Sequence, residues 1–246
     1  MATSPRRLVT IDGGNSTLDC LRHDDGSRLV LDAAAPDAAA LGAFLAPDDV
    51  AYVCAVTARG LEIVTAQLAR RGVPLRLAGR DVPCPLRLDY TTPATLGVDR
   101  WVGALAAHER HGRAVVVDCG TATTVNLVEA DGTFRGGAVA PGLRAFVAGM
   151  GEVTPALPVP DLDARPTLPP RSSQDAVDTG VVLGWCGLVE RLVAGMLAAA
   201  AGPARVVATG GNAMRLLRHA RLRAEHVPDL VHRGLAVLAA SDRCAS

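Results

Sequence analysis

Val115-Val116-Val117-Asp118-Cys119-Gly120-Thr121-Ala122-Thr123-Thr124 decides the reading of this chain. Three β-branched residues run into an acid, and the glycine and hydroxyl residues that let a backbone turn tightly around an anion follow at once. The stretch reads as a buried strand opening into a hairpin that grips phosphate. It also has a copy. Moved back by about 106 positions, Val9 falls on Val115, Asp12 on Asp118, Gly14 on Gly120, Thr17 on Thr123 and Leu21 on Leu127. The offset holds to the next turn, where Asp25-Gly26 falls on Asp131-Gly132. Two homologous halves are therefore expected, residues 1–112 and 113–246. Each opens with a strand, an Asp-x-Gly turn, a second strand and an Asp-Gly hairpin into a third. A βββαβα order met twice predicts an α/β fold with a mixed sheet and flanking helices in each half.

The composition narrows the function. All 25 basic residues are Arg and none is Lys, which excludes the lysine-dependent P-loop, Schiff-base chemistry and the protein-kinase lysine. Formal charge is zero, so no global field recruits nucleic acid or an anionic membrane. Cys20, Cys54, Cys84, Cys119, Cys186 and Cys244 show neither CxxC pairs nor zinc spacing, which suggests reduced thiols in a cytoplasmic protein. The polar start, Met1 to Arg7, does not read as a signal peptide. Val181 to Gly202 is apolar but broken by Glu190-Arg191, and reads as a largely buried helix rather than a membrane span.

Taken in order, the first strand, Leu8 to Ile11, ends in Asp12-Gly13-Gly14-Asn15-Ser16-Thr17, where backbone N–H groups and side-chain donors suit the terminal phosphates of a nucleotide. Asp12 can hold Mg²⁺ directly or through water, or can serve as an Asx-turn residue. Ala38 to Leu45 and Leu61 to Arg71 are helix candidates around a buried strand, Val50 to Val56. A Pro-rich loop, Arg80 to Val98, leads to Gly97-Val98-Asp99-Arg100 and a helix through His111. Asp99 reads as an N-cap, and together with Tyr90 and Arg100 as a pocket lining. His108 and His111 read as an exposed helix face. In the second half, Ser172 or Ser173 caps a long helix to about Ala200, and the strand Arg205 to Ala208 ends in Thr209-Gly210-Gly211-Asn212, a place for a nucleotide's sugar or α-phosphate. The basic run Arg215 to Arg223 reads as a solvated helix face, and the helix Asp229 to Ala240 is expected to close the second core.

Two Asp-x-Gly turns and a Thr-Gly-Gly turn form the pattern of the actin, sugar-kinase and acetate-kinase superfamily, whose ribonuclease-H-like domains hold ATP in the cleft between them. Within it the chain resembles the type III pantothenate kinases. The matching residues are Asp12-x-Gly14-Asn15-Ser16, Leu96-Gly97-Val98-Asp99-Arg100, Asp118-x-Gly120-Thr121-Ala122-Thr123-Thr124, Gly136-Gly137-x-x-x-Pro141-Gly142, Ala156-Leu157-Pro158 and Thr209-Gly210-Gly211. The resemblance implies ATP-dependent phosphorylation of the terminal hydroxyl of pantothenate, the first step towards coenzyme A, by a homodimer. It implies Asp99 as general base, and Tyr90, Gly97, Arg100 and Ser173 around pantothenate. It further implies Asp12, with Mg²⁺, and Gly13, Gly14, Asn15 and Ser16 around the ATP phosphates. Gly120, Thr121 and Thr123 form the second phosphate loop, Thr209, Gly210 and Gly211 complete the nucleotide site, and Asp118 helps bind K⁺ or NH₄⁺. Ser16 and Ser173 stand where the family usually has Thr, Asn126 where it often has Asp, and Val56-Thr57-Ala58 where it has a Ser-Val-Val-Pro-like segment. Two other readings are a kinase for another small metabolite and a regulatory homologue like the family's accessory-factor branch. The intact Asp12, Asp99 and Asp118 favour the enzyme.

Overall fold

A computed structural model describes residues 6–245; the stretch Met1 to Pro5, part of the polar start considered above, lies outside the described residues. The chain divides into one unit made of Met1–Glu109 with Leu230–Ser246 and a second made of Arg110–Asp229.

In the first unit, Arg7–Gly13 (β1), Thr17–Arg22 (β2) and Arg28–Asp32 (β3) form an antiparallel meander. Ala38–Phe44 (α1) follows, with Asp37 as N-cap accepting from Ala39 N and Ala40 N. Asp49–Ala55 (β4) then pairs parallel to β1, Ala58–Arg71 (α2) crosses over, and Leu75–Leu77 (β5) pairs parallel to β4. The sheet order is β3-β2-β1-β4-β5. Thr57 caps α2 through Gly60 N, and Gly72 ends it in the left-handed conformation. One face of this sheet, Val9, Ile11, Leu18, Cys20, Ala51 and Val53, packs with Leu41, Val64 and Leu68 of α1 and α2. Arg87–Leu88 (β6) and a 3₁₀ turn at Pro93–Thr95 lead into Val98–His111 (α3).

The second unit repeats the plan. Ala114–Cys119 (β7), Ala122–Val128 (β8) and Thr133–Pro141 (β9) form the meander, followed by Leu143–Val153 (α4) and Ser173–Ala199 (α5). Arg205–Thr209 (β10) pairs parallel to β7, and beyond Ala213–His219 (α6), Glu225–His226 (β11) pairs parallel to β10. The order β9-β8-β7-β10-β11 is that of β3-β2-β1-β4-β5, which is what a duplicated α/β domain requires.

Three expectations change. The 106-residue offset is not continuous: Asp12 pairs with Asp19, seven positions on, whereas Asp118 pairs with Thr124, six positions on. The second turn is one residue shorter, and a bulge between Asn126 and Val128 restores the register before Asp131-Gly132. The last helix, Leu230–Ala245 (α7), does not close the second core. It packs on β1 and β4, where Tyr52 Oη donates to Asp242 at 2.7 Å and Arg76 pairs with the same carboxylate. The final helix therefore belongs with the first unit, and the expected 113–246 half loses it. Third, α5 is buried along one stripe only, Val177, Val181, Val182, Trp185, Cys186, Val189 and Val193. By length and composition it could cross a membrane, but this stripe packs into the core of the second sheet.

Candidate active site on two Asp-x-Gly turns

In the first unit, β1 delivers Asp12 to the start of a turn closed by Gly14 N donating to Thr17 O at 2.9 Å. Gly13 O accepts from Val56 N at 2.9 Å, tying the turn to β4, while Asn15 and Ser16 are exposed. The parallel register sets Cys54 beside Asp12. Burial pushes the fully buried Cys54 thiol well above its ordinary pKa, and the charges of Asp12 and Asp99 push it the same way. Both proposed acids thus lie near enough to Cys54 for their charges to act on its thiol.

Asp99 is not an N-cap. It lies in the first turn of α3, where the helix N-terminus favours a carboxylate, and it accepts from Arg100 N at 2.9 Å. Burial dominates nonetheless and raises its pKa, opposed by that backbone bond and the Arg100 charge. A carboxylate moved upward from 3.8 is a stronger base, which suits removal of a proton from an alcohol. A Cβ on Gly97 would lie 2.6 Å from Asp99 Oδ1, so glycine there keeps space for the carboxylate. The Arg100 guanidinium sits 5.8 Å from the centre of the Tyr90 ring, a cation–π contact that unites two of the residues assigned to substrate.

In the second unit, Asp118 is the penultimate residue of β7 and the turn Gly120-Thr121 follows, with Thr121 exposed. Thr209-Gly210-Gly211 comes to the same place, because β10 runs parallel to β7 with Thr209 beside Asp118. Gly210 has φ +86, and a Cβ there would meet the Asp118 carboxylate and approach Cys119 C and N at 2.7 and 2.8 Å. The two turns interlock so closely that only glycine fits. Asn212, quoted with the Thr-Gly-Gly run but given no role, fastens the contact: its backbone N donates to Cys119 O at 3.0 Å. Cys119 is a buried thiol pushed up to about 12 by burial and then by Asp118, which makes it inert as a nucleophile.

Thr123 departs from its expected place. It is fully buried and its hydroxyl accepts from Trp185 Nε1 at 3.1 Å, so it faces the core under α5, leaving only its backbone for a phosphate. Thr124 lies on the Asp118 face instead, held by Asn126 Nδ2 at 3.0 Å. Ser173 is the exposed first residue of α5, and the cap itself is Ser172, which accepts from Asp175 N. His111 pairs with Glu225 at 3.1 Å. Among the described residues no three His, Cys, Asp or Glu side chains converge as metal ligands. A cavity of about 860 Å³ in the second unit, lined by His111, Leu197, Arg205, Leu217, Leu222 and Glu225, includes none of these site residues.

The fold has known counterparts. A crystal structure of a conserved Baf family transcriptional activator from Campylobacter jejuni matches with a TM-score of 0.65 at 21% identity, covering 96% of this chain and 99% of that one. An archaeal actin homologue, Ta0583, matches with a TM-score of 0.52 at 11% identity, covering 96% and 99%. The fold is therefore actin-like. At the level of sequence, residues 8–195 match the model of the type III pantothenate kinases. A type III pantothenate kinase of Alkalilimnicola ehrlichii is 40% identical over 204 residues, 81% of this chain and 82% of that protein. The chain belongs to the type III pantothenate kinase family.

Proposed function

We propose that the chain transfers the γ-phosphoryl group of ATP to the terminal hydroxyl of pantothenate, with Asp99 as general base. The observation behind the assignment of the base is a carboxylate whose pKa is raised by burial, in the first turn of α3 next to an Arg100–Tyr90 pair. Asp99 accepts the hydroxyl proton as the oxygen attacks, a role worth about 10²–10⁴ in rate. Arg100, held over Tyr90, orients pantothenate through its carboxylate, and Ser173 adds a hydroxyl contact. Asn15 and Ser16 donate to the β- and γ-phosphates, Gly13 and Gly14 let the backbone of the turn come close to them, and Gly120, Thr121 and the backbone at Thr123 form the second loop. Thr209, Gly210 and Gly211 receive the nucleotide further back. Asp12 is the protein ligand for Mg²⁺, directly or through water, and Asp118 contributes to a site for K⁺ or NH₄⁺. When bound, these cations neutralise charge on the phosphates, so that most of the catalysis is positioning and electrostatics.

The working form is a homodimer. Val139, Val153, Leu157, Val159 and Leu168 are all exposed within residues 139–168 of the second unit, apolar side chains that a second copy would cover. Six free cysteines agree with a reducing, cytoplasmic setting. Mass spectrometry of the products from ATP and pantothenate tests the reaction: 4'-phosphopantothenate is expected, and its absence with folded protein would overturn the substrate. Light scattering on the same sample tests the dimer, with a monomer at micromolar concentration as the contrary result.

A further inference from the structure

In the first unit, one cluster of buried polar groups that the proposed reaction leaves unused centres on Thr10. Thr10 is fully buried, and its hydroxyl lies 2.8 Å from His232 Nδ1, 2.9 Å from His23 Nε2 and 3.4 Å from the Leu21 carbonyl. His232, on α7, is 3% exposed, and its Nε2 faces an Asp19 carboxylate oxygen at 3.5 Å. Arg28 of β3 also holds Asp19, its Nε 2.9 Å from the same carboxylate oxygen. Burial alone would raise the Asp19 pKa, but His232 and Arg28 together bring it down to about 2, so Asp19 is an anion at neutral pH.

With Asp19 an anion, the directions of these contacts follow. A carboxylate only accepts, and 3.5 Å is long for a hydrogen bond, but His232 Nε2 is buried and no closer partner competes for it among the described residues. In the neutral ring the proton therefore sits on Nε2, since a lone pair aimed at the carboxylate would be repelled. Nδ1 is then an acceptor and takes the Thr10 O–H. The Thr10 oxygen, having donated, accepts from His23 Nε2. The donations then run in one direction, from His23 through Thr10 and His232 to Asp19.

The network surrounds Asp12. Thr10 and Asp12 are two residues apart on β1 and share a face of the sheet, and Asp19 is the direct cross-strand partner of Asp12 on β2. His232 thus touches the neighbour of Asp12 along its own strand and the neighbour across the ladder. Between these two limbs lies the turn from Gly13 to Leu18.

We propose that His232, as the Nε2–H tautomer, is a positioning residue for the first phosphate turn: it ties Thr10 on β1 to Asp19 on β2 and fixes the spacing of the two limbs beside Asp12. The functional half of this inference rests on the reading that this turn serves the phosphates of ATP; the tautomer does not.

The test has a spectroscopic arm and a binding arm. In ¹⁵N-histidine-labelled protein, the signals that vanish in His232→Gln belong to His232; a protonated-type Nε2 and an unprotonated-type Nδ1 are expected, and the reverse would overturn the proposal. His232→Leu should weaken binding of the magnesium complex of a non-hydrolysable ATP analogue, measured by calorimetry, by about 10-fold, the lower end of the effect of removing a direct hydrogen-bond partner of a ligand, since His232 acts on Asp12 only through Thr10 and Asp19. In turnover the loss should fall on KM for MgATP, with KM for pantothenate within about twofold. Because Gln can offer an N–H to Asp19 and an acceptor to Thr10, His232→Gln should recover most of that loss. If His232→Leu does not fold, Thr10→Val carries the same expectation. Unchanged analogue affinity in a folded His232→Leu or Thr10→Val protein overturns the positioning role. If wild-type protein binds no ATP analogue, the proposed reaction fails instead, while the tautomer remains readable from the spectrum.

Discussion

Replacing Gly210 by alanine measures how tightly the two glycine turns of the second unit interlock. At φ +86 an alanine occupies the left-handed region, at a cost of about 1–2 kcal/mol. Its Cβ would also lie 2.7 and 2.8 Å from the backbone C and N of Cys119, atoms that can move only by shifting the end of β7. Overpacking of that kind costs about 1–3 kcal/mol, so the second unit should lose about 2–5 kcal/mol in all. Gly211→Ala is the control, since nothing lies within 4 Å of a Cβ there, and it should stay within about 0.5 kcal/mol of the parent. A chain of two units need not unfold in one step, so the probe should be local. Trp101 lies in the first unit and Trp185, fully buried, in the second, so urea unfolding followed by fluorescence in a Trp101→Phe background reports the second unit alone. A Gly210→Ala stability within about 0.5 kcal/mol of the parent would refute the argument.

Asp99→Asn should lower kcat by about 10²–10⁴ without a loss of stability at pH 7. Burial raises the pKa of Asp99, so the stability it contributes is present below the ordinary value of 3.8 and lost as pH rises through the raised one; a lower Tm for the variant at pH 7 would contradict this. Asp19, depressed to about 2, behaves oppositely: its stabilising effect is present above 3.8 and lost as pH falls towards about 2. Acid titration of a Trp185→Phe protein, read through Trp101, should therefore show a steeper loss than the same protein carrying Asp19→Asn, and equal slopes would count against it. Trp185→Phe leaves the buried Thr123 hydroxyl without its donor and should cost about 1–3 kcal/mol in denaturant unfolding.

Both sheets were legible because their evidence is local. Val115 to Thr124 and its copy at Val9 declare strand, acid and turn within a few residues, and Asp99 beside Gly97 declares a helix start. The sequence offset alone could not reveal that the second turn is one residue shorter, since the bulge at Asn126 restores the count before the next Asp-Gly. Thr123 misled for the same reason: slipping one position along a strand exchanges the faces, and its hydroxyl meets Trp185. The course of α7 was hidden differently. Its apolar stripe fits either sheet, and what decides is pairing over more than 160 residues, Tyr52 and Arg76 with Asp242 and Thr10 with His232. Asn212 stood beside Thr-Gly-Gly without a role, because its bond to Cys119 O depends on β10 lying parallel to β7.

The most direct measurement is ADP release from MgATP by the purified protein, with and without pantothenate, in K⁺ and then in Na⁺ buffer, for the parent and for Asp99→Asn. The account predicts turnover that requires pantothenate, falls when K⁺ is replaced by Na⁺, and drops by about 10²–10⁴ in the variant. ADP release indifferent to pantothenate, or a folded Asp99→Asn protein as active as its parent, would contradict it.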